Sequence, residues 1–301
     1  MLRRPWMTCE CGPSSILARH PHEAPRRGPT MPPVVVVKLG GGLITEKASM
    51  TTVHEDRLNR LAREIAAAAR QGVRVLVVHG AGSFGHLRAK AWRLSDGRSD
   101  AQGNDGCANQ DEAVERVRED MMLLAEHVTQ ALHDAGLATS MHPPHRWAVG
   151  LGTNFVGDLQ PLQPGDVTPV TWGDVVPVEG PAAFGILSGD DLVHRCAVEL
   201  PNVSRVVFAM GGADGVLRKP PHEATEEDLI EVWHDAADFV GVHAADMDVT
   251  GGIGLKVQRA RSIAQHGIET WFVNGEVEGR LEAAMLGRPV RGTRFPPPQK
   301  G

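Results

Sequence analysis

The stretch that decides the fold is VVVVKLGGGLITEK, residues 34–47. Four consecutive valines leave neither face of the segment polar. A strand covered on both sides reads that way, whereas a strand with one wet face alternates. The run stops at Gly40-Gly41-Gly42, where the missing side chains let the backbone pass close to an anion and aim its N–H groups at it. Lys38 ends the strand and Lys47 follows the turn, two point charges able to reach phosphoryl oxygens. The spacing is not that of a P-loop. On its own the motif is also compatible with a glycine turn flanked by two solvated lysines.

Working outward, Leu58, Leu61, Ile65 and Ala68 recur at helical spacing and predict a helix over 55–71. A second buried strand, 73–78, runs into His79-Gly80-Ala81-Gly82-Ser83. Residues 95–110 are polar and glycine-rich and read as a mobile loop. A long helix over 111–135 closes at Gly136, and short strands are expected near 137–141, 167–171 and 205–209. Helices over 189–200, 252–266 and 278–286, with a strand at 268–273, complete the pattern. Strands alternating with helices predict an α/β sandwich with a mostly parallel central sheet. Ligands of such sheets bind at the C-terminal strand ends. Several of these strands end in glycine, so they should converge on one cleft.

Composition narrows the function. The chain has 301 residues, a net charge of −6 and 42% hydrophobic residues. That describes a globular protein with a substantial core and disfavours a general nucleic-acid binder. No apolar run reaches the length of a membrane span, so no membrane partner is expected. Four cysteines, Cys9, Cys11, Cys107 and Cys196, at irregular spacing suit a reducing cytoplasm. Cys9 and Cys11 with His20 and His22 lack the paired spacing of a zinc site, and no protein-bound metal is expected. Residues 1–31, rich in Pro and Arg, read as a disordered N-terminal extension, with Met31 as an alternative initiator, ahead of a single domain over 32–301. Lysines are few, six against 25 arginines, which makes the positions of Lys38, Lys47 and Lys256 informative.

Three further segments carry chemistry. HGAGSFGH, 79–86, is a second strand-to-glycine anion cradle, and His86 follows on the ensuing helix where it can face the same cleft. WGDVV, 172–176, and ILSGDD, 186–191, supply Gly173 and Gly189 together with Asp174, Asp190 and Asp191. Those aspartates could hold magnesium, orient a lysine or cap a helix, and Ser188 is itself a good cap. DVTGGIGLKV, 248–257, opens a helix at Thr250-Gly251-Gly252 with Lys256 one turn in, a third anion site.

In this order the four segments resemble the amino acid kinase superfamily, and within it most resemble the isopentenyl phosphate kinases, with the fosfomycin kinases as close relatives. The resemblance spans about residues 34–294 and includes Gly292-Thr293 near the end. It implies a three-layer αβα fold with an acceptor-binding N-terminal part and a nucleotide-binding C-terminal part. It also implies a homodimer and an ATP- and magnesium-dependent transfer of a γ-phosphoryl group to a small phosphorylated substrate. Carried over motif by motif, Lys38, Lys47, His86 and Lys256 would be catalytic. Gly40, Gly41, Gly42, Ser83, Asp214, Thr250 and Gly252 would meet the nucleotide, and Gly82, His86, Gly173 and Asp190 the acceptor. An apolar pocket for a five-carbon tail could draw on Met121, Met122, Leu124 and Phe155. A smaller polar acceptor such as a phosphonate could draw on His142, His145 and Arg146. A third possibility is a binding protein without turnover. Its support is GGADG at 211–215, where the family usually has Thr-Asp-Val-Asp-Gly. QPLQP, 160–164, puts prolines where relatives tend to be helical, so that piece should be reshaped.

Overall fold

The computed structural model describes Met1, residues 31–46, Ser49, 51–234 and 252–298. The chain divides into two compact units, Met1–Met31 and Pro32–Gly301, and the architecture below is that of the second.

The four-valine segment is the middle strand of the sheet. β1 (Val34–Leu39) is buried along its whole length. Val35, Val37 and Leu39 point into one core cluster and Val36 into the other, as a period of two requires. β2 (Arg74–His79), β3 (Thr139–Met141), β4 (Thr168–Trp172), β7 (Val203–Met210), β8 (Glu269–Asn274) and β9 (Gly292–Phe295) complete a seven-stranded sheet of order β3-β4-β2-β1-β7-β8-β9. All neighbours pair in parallel except β8 with β9. β2 lies on one side of β1 and β7 on the other. The chain order therefore reverses at β1, which is where an open parallel sheet forms a crevice.

Helices cover both faces. Leu58, Leu61 and Ile65 of α2 (Glu55–Arg70), Val117, Met121 and Leu124 of α4 (Gln110–Asp134), and Leu281 of α7 (Arg280–Met285) fill one side with the Val35 row. Leu192 and Val193 of α5 (Gly189–Glu199) and Val257 and Ile263 of α6 (Gly252–Gln265) fill the other with Val36. Two short helices, α1 (Gly41–Ile44) and α3 (Gly82–Ala91), start directly at the glycine turns. The result is the expected three-layer αβα sandwich.

Local chemistry sets the helix ends. Asn109 caps α4 by accepting the Glu112 N–H, and Gly136, at φ +93°, ends that helix region in the left-handed conformation. α7 has no side-chain cap of its own. Glu64, buried on α2, supplies one from 217 residues away, its Oε2 accepting the N–H groups of Leu281 and Glu282.

Some expectations change. Residues 95–110, read as mobile, are tied down: Arg88 Nε and Trp92 Nε1 donate to Asp105 at 2.6 and 2.7 Å, and Gln110 donates to the Trp92 carbonyl. A polar segment looks loose in sequence because its partners lie on a different element. The segments WGDVV and ILSGDD contain an antiparallel hairpin, β5 (Asp174–Pro177) with β6 (Phe184–Leu187), whose strands are too short to show a period. β9, likewise unanticipated, closes one edge of the sheet. Around Pro161 a single 3₁₀ turn, Gln160–Leu162, stands in for a longer helix.

Candidate active site

The glycine turns meet backbone to backbone. A Cβ on Gly80 would lie 2.7 Å from the Gly41 nitrogen, and one on Gly41 would collide with the Gly82 nitrogen. Gly82 sits at φ +51° against Thr45, whose hydroxyl accepts the Ser83 N–H. On the other face a Cβ at Gly173 would lie 2.9 Å from the Gly189 nitrogen, and one at Gly189 would lie 2.7 Å from Lys38 Nζ. No other residue type allows this proximity. His79, at the end of β2, braces the second turn: its Nδ1 lies 3.1 Å from the Gly80 carbonyl, and its ring stacks on Trp172. With Nδ1 donating, Nε2 is left buried without a hydrogen-bond partner. Burial, first, and the Lys38 charge lower its pKa to about 4, so the ring is neutral.

Lys38 shares the parity of Val36, so its side chain leaves β1 toward α5. There Nζ meets Asp190 Oδ1 at 2.8 Å. The other oxygen of Asp190 lies 3.1 Å from Lys256 Nζ on α6. Ser188 caps α5 and accepts the Asp190 N–H, which fixes the carboxylate at the helix start. Asp190 is only 1% exposed. Burial opposes its ionisation, but the two ammonium groups prevail and hold its pKa below the usual carboxylate range. Burial pulls Lys38 below its ordinary value, with Lys256 adding to the effect and Asp190 opposing it. Asp191 turns away and binds Arg259 at 2.6 Å, a second tie between α5 and α6.

These groups border one cavity of about 740 Å³ at the C-terminal ends of β1, β2 and β7. Lys38, Lys256 and His86 all line it, with Gly40, Gly41, Gly42, Gly173, Asp190 and Gly252. The imidazole and two of the expected ammonium groups therefore share a crevice. Lys47 and Thr250 lie outside the described residues. Gly82 and Ser83 are not among the lining residues; they shape the turn, Ser83 through its N–H to Thr45. Asp214 is drawn away by Arg280, Arg291 and Asn274, which keep it ionised against a burial penalty.

Sequence reasoning missed most of the apolar end. Gly85 and Ala89 of α3, Val117 and Met121 of α4, Val175 and Ile186 of the hairpin form it. A Cβ on Gly85 would come within 3.2 Å of Met121 Sδ, so the two helices meet there. Of the four tail-pocket candidates only Met121 lines the cavity; Leu124 is core and Phe155 packs in the opposite cluster under Arg195. The usable signal was the pair of i, i+4 spacings, 85/89 and 117/121, beside His86. His142, His145 and Arg146 are not among the lining residues. His145 instead holds Asp174 through Nδ1 at 2.7 Å.

A parallel sheet that reverses at its middle strand, with glycine turns and anchored lysines over the reversal, defines a phosphate-handling α/β class. The chain belongs to the amino acid kinase family, whose model matches residues 33–274. Within the family it is similar to the isopentenyl phosphate kinase of Methanothermobacter thermautotrophicus, 30% identical over 269 residues that cover 87% of this chain and 98% of that one. It is also similar to the isopentenyl phosphate kinase of Haloferax volcanii, 34% identical over 260 residues covering 82% and 98%. A solved isopentenyl phosphate kinase structure superposes with a TM-score of 0.72 at 26% identity, covering 87% of this chain and 99% of that one.

Proposed function

We propose that the chain transfers the γ-phosphoryl group of ATP to isopentenyl phosphate, giving isopentenyl diphosphate. The observation that carries this reading is one cavity lined by anchored ammonium groups, an imidazole and a set of apolar side chains. The relatives named above point to the same acceptor.

An acceptor phosphate oxygen is already ionised near neutral pH, so no general base is needed. The task is to hold two repelling anions in line and neutralise charge that moves between them. Lys38 and Lys256, fixed through Asp190, present two cations whose positions cost no rearrangement during the reaction. Lys47 is a third by its motif. His86, on the helix that also bears Gly85 and Ala89, donates a hydrogen bond to the acceptor phosphate while the tail enters the pocket beyond. The glycine turn at 40–42 and the first turn of α6 suit the nucleotide phosphates, since both present main chain to the cavity and the space beside Gly252 is open. Asp190 is committed to its lysines, and among the described residues no three acidic, His or Cys side chains converge. Magnesium, which the resemblance implies, would enter with the nucleotide and would neutralise phosphate charge there. The acceptor occupies the N-terminal part and the nucleotide the C-terminal part of a single domain, in a cytoplasmic homodimer.

The phosphonate reading relied on three side chains that do not border the cavity. ADP release measured with isopentenyl phosphate and with fosfomycin tests the assignment. Turnover on the first supports it; turnover on the second alone, or nucleotide binding without turnover, sinks it.

A further inference from the structure

The C-terminal end of β7 is bare of polar side chains where it meets the cavity. Gly211, Gly212 and Ala213 follow β7 and line the cavity, yet none carries a polar side chain. A carboxylate from elsewhere occupies the space. A Cβ built on Gly211 would lie 3.2 Å from Glu276 Oε1, and Glu276 Oε2 accepts the Gly212 N–H at 3.1 Å. Glu276 sits in the turn after β8 and lines the cavity itself. Its backbone N–H donates to Asn274 Oδ1, and Asn274 reaches Asp214 at 3.2 Å, so the two turns are joined at two points. Arg57 of α2 holds the carboxylate from the far side at 3.2 Å and donates to the Leu43 carbonyl of α1 at 2.9 Å. A continuous strap thus runs from the first glycine turn through Arg57 and Glu276 to Gly212. The Arg57 charge also offsets a carboxylate that would otherwise repel a polyphosphate.

We infer that Glu276 is a positioning residue for the nucleotide: it stands where a side chain at 211 would grow and sets the shape of the 211–213 turn in its place. The inference rests on the kinase reading above. It predicts a specific pattern of epistasis. Glu276→Ala raises KM for ATP about tenfold, the scale of one lost charge-assisted hydrogen bond, and leaves KM for isopentenyl phosphate unchanged. Glu276→Gln keeps an oxygen for the Gly212 N–H and stays within about threefold of the parent in KM for ATP. Gly211→Thr in the parent also raises KM for ATP, because the new side chain lands on Glu276. Added to Glu276→Ala, the same change lowers KM, since the space is then vacant; neighbours that share one space are non-additive.

The experiment is steady-state kinetics with both substrates varied, on the parent, the three single variants and the double variant, with melting curves to verify folding. An unchanged KM for ATP in Glu276→Ala overturns the inference. So does an equal rise in both KM values, or a Gly211→Thr effect of the same sign in both backgrounds. Should Glu276→Ala fail to fold, Glu276→Gln and Gly211→Thr decide the matter: a KM for ATP raised by the first or unmoved by the second refutes the role. A parent with no ATP-dependent turnover sinks the kinase reading and this inference with it. An unchanged KM in an active enzyme sinks the inference alone.

Discussion

At the scale of single residues, Asp190 has the heaviest electrostatic duty, since one buried carboxylate serves two ammonium groups. Asp190→Asn leaves Lys38 buried without a counter-ion, and removing one partner of such a set costs about 3–5 kcal/mol. The expected outcome is a lower urea midpoint together with a loss of turnover. A midpoint equal to the parent's would show that the pair is dispensable to the fold. His86→Ala is expected to lower kcat by about 10²-fold or more while KM for ATP stays within a few-fold, as for loss of a donor to a charged centre. ADP-release kinetics check both parameters. The motifs named Lys38, Lys256, His86 and Asp190 because glycine-rich segments betray where a chain bends around an anion. They left the role of Asp190 open among metal ligand, cap and lysine partner. That choice depended on contacts with Lys38, 152 residues away, which no local pattern encodes.

At the scale of elements, helix ends and helix faces divide the labour between stability and selectivity. Glu64 is the remote cap of α7, so Glu64→Gln, which keeps one acceptor oxygen but loses the charge and the Arg60 ion pair, should cost about 1–3 kcal/mol in chemical denaturation. A loss below a few tenths would mean that α7 holds itself. Ile186→Ala widens the apolar pocket from a half-buried position. It should shift kcat/KM toward phosphates with longer prenyl tails, by roughly the 10-fold or more that a few methylenes carry in a hydrophobic site. Competition between isopentenyl phosphate and a ten-carbon monophosphate measures the shift, and an unchanged ratio removes Ile186 from the pocket wall. The main strands and long helices were legible because burial on both faces and a 3.6-residue period leave marks over many residues. The β5–β6 hairpin and β9 were not, because four-residue strands carry almost no period. The pocket escaped for a related reason: Gly85, Ala89 and Val117 look like ordinary packing residues until the crossing of α3 and α4 brings them to one wall.

At the scale of the whole molecule, two histidines tie stability to pH. Burial lowers His79 to about 4, and burial with Arg259 nearby lowers His194 to about 4, both from 6.5. Between those values the unfolded chain takes up protons that the folded chain refuses. Stability is therefore complete above about pH 6.5 and declines as the pH falls toward 4, by about 3 kcal/mol for fully buried His79 and less for partly buried His194. Asp190, depressed below the usual carboxylate value, adds its own loss only at lower pH. Urea unfolding at pH 7 and pH 5 should show the drop, and His79→Phe, which keeps a ring against Trp172, should flatten it. Equal slopes in parent and variant would remove His79 as the cause.

The backbone contact between Gly41 and Gly82 has a consequence for how such a protein can change. One end of the cavity is built from main chain, which no substitution can redecorate without prising two loops apart. Apart from Gly85, the opposite end is made of side chains on helices and a hairpin, Ala89, Val117, Met121, Val175 and Ile186. Inherited or designed variation is thereby channelled: the wall around the acceptor's tail is open to exchange, while the glycine turns that frame the cationic side chains are held to one residue type.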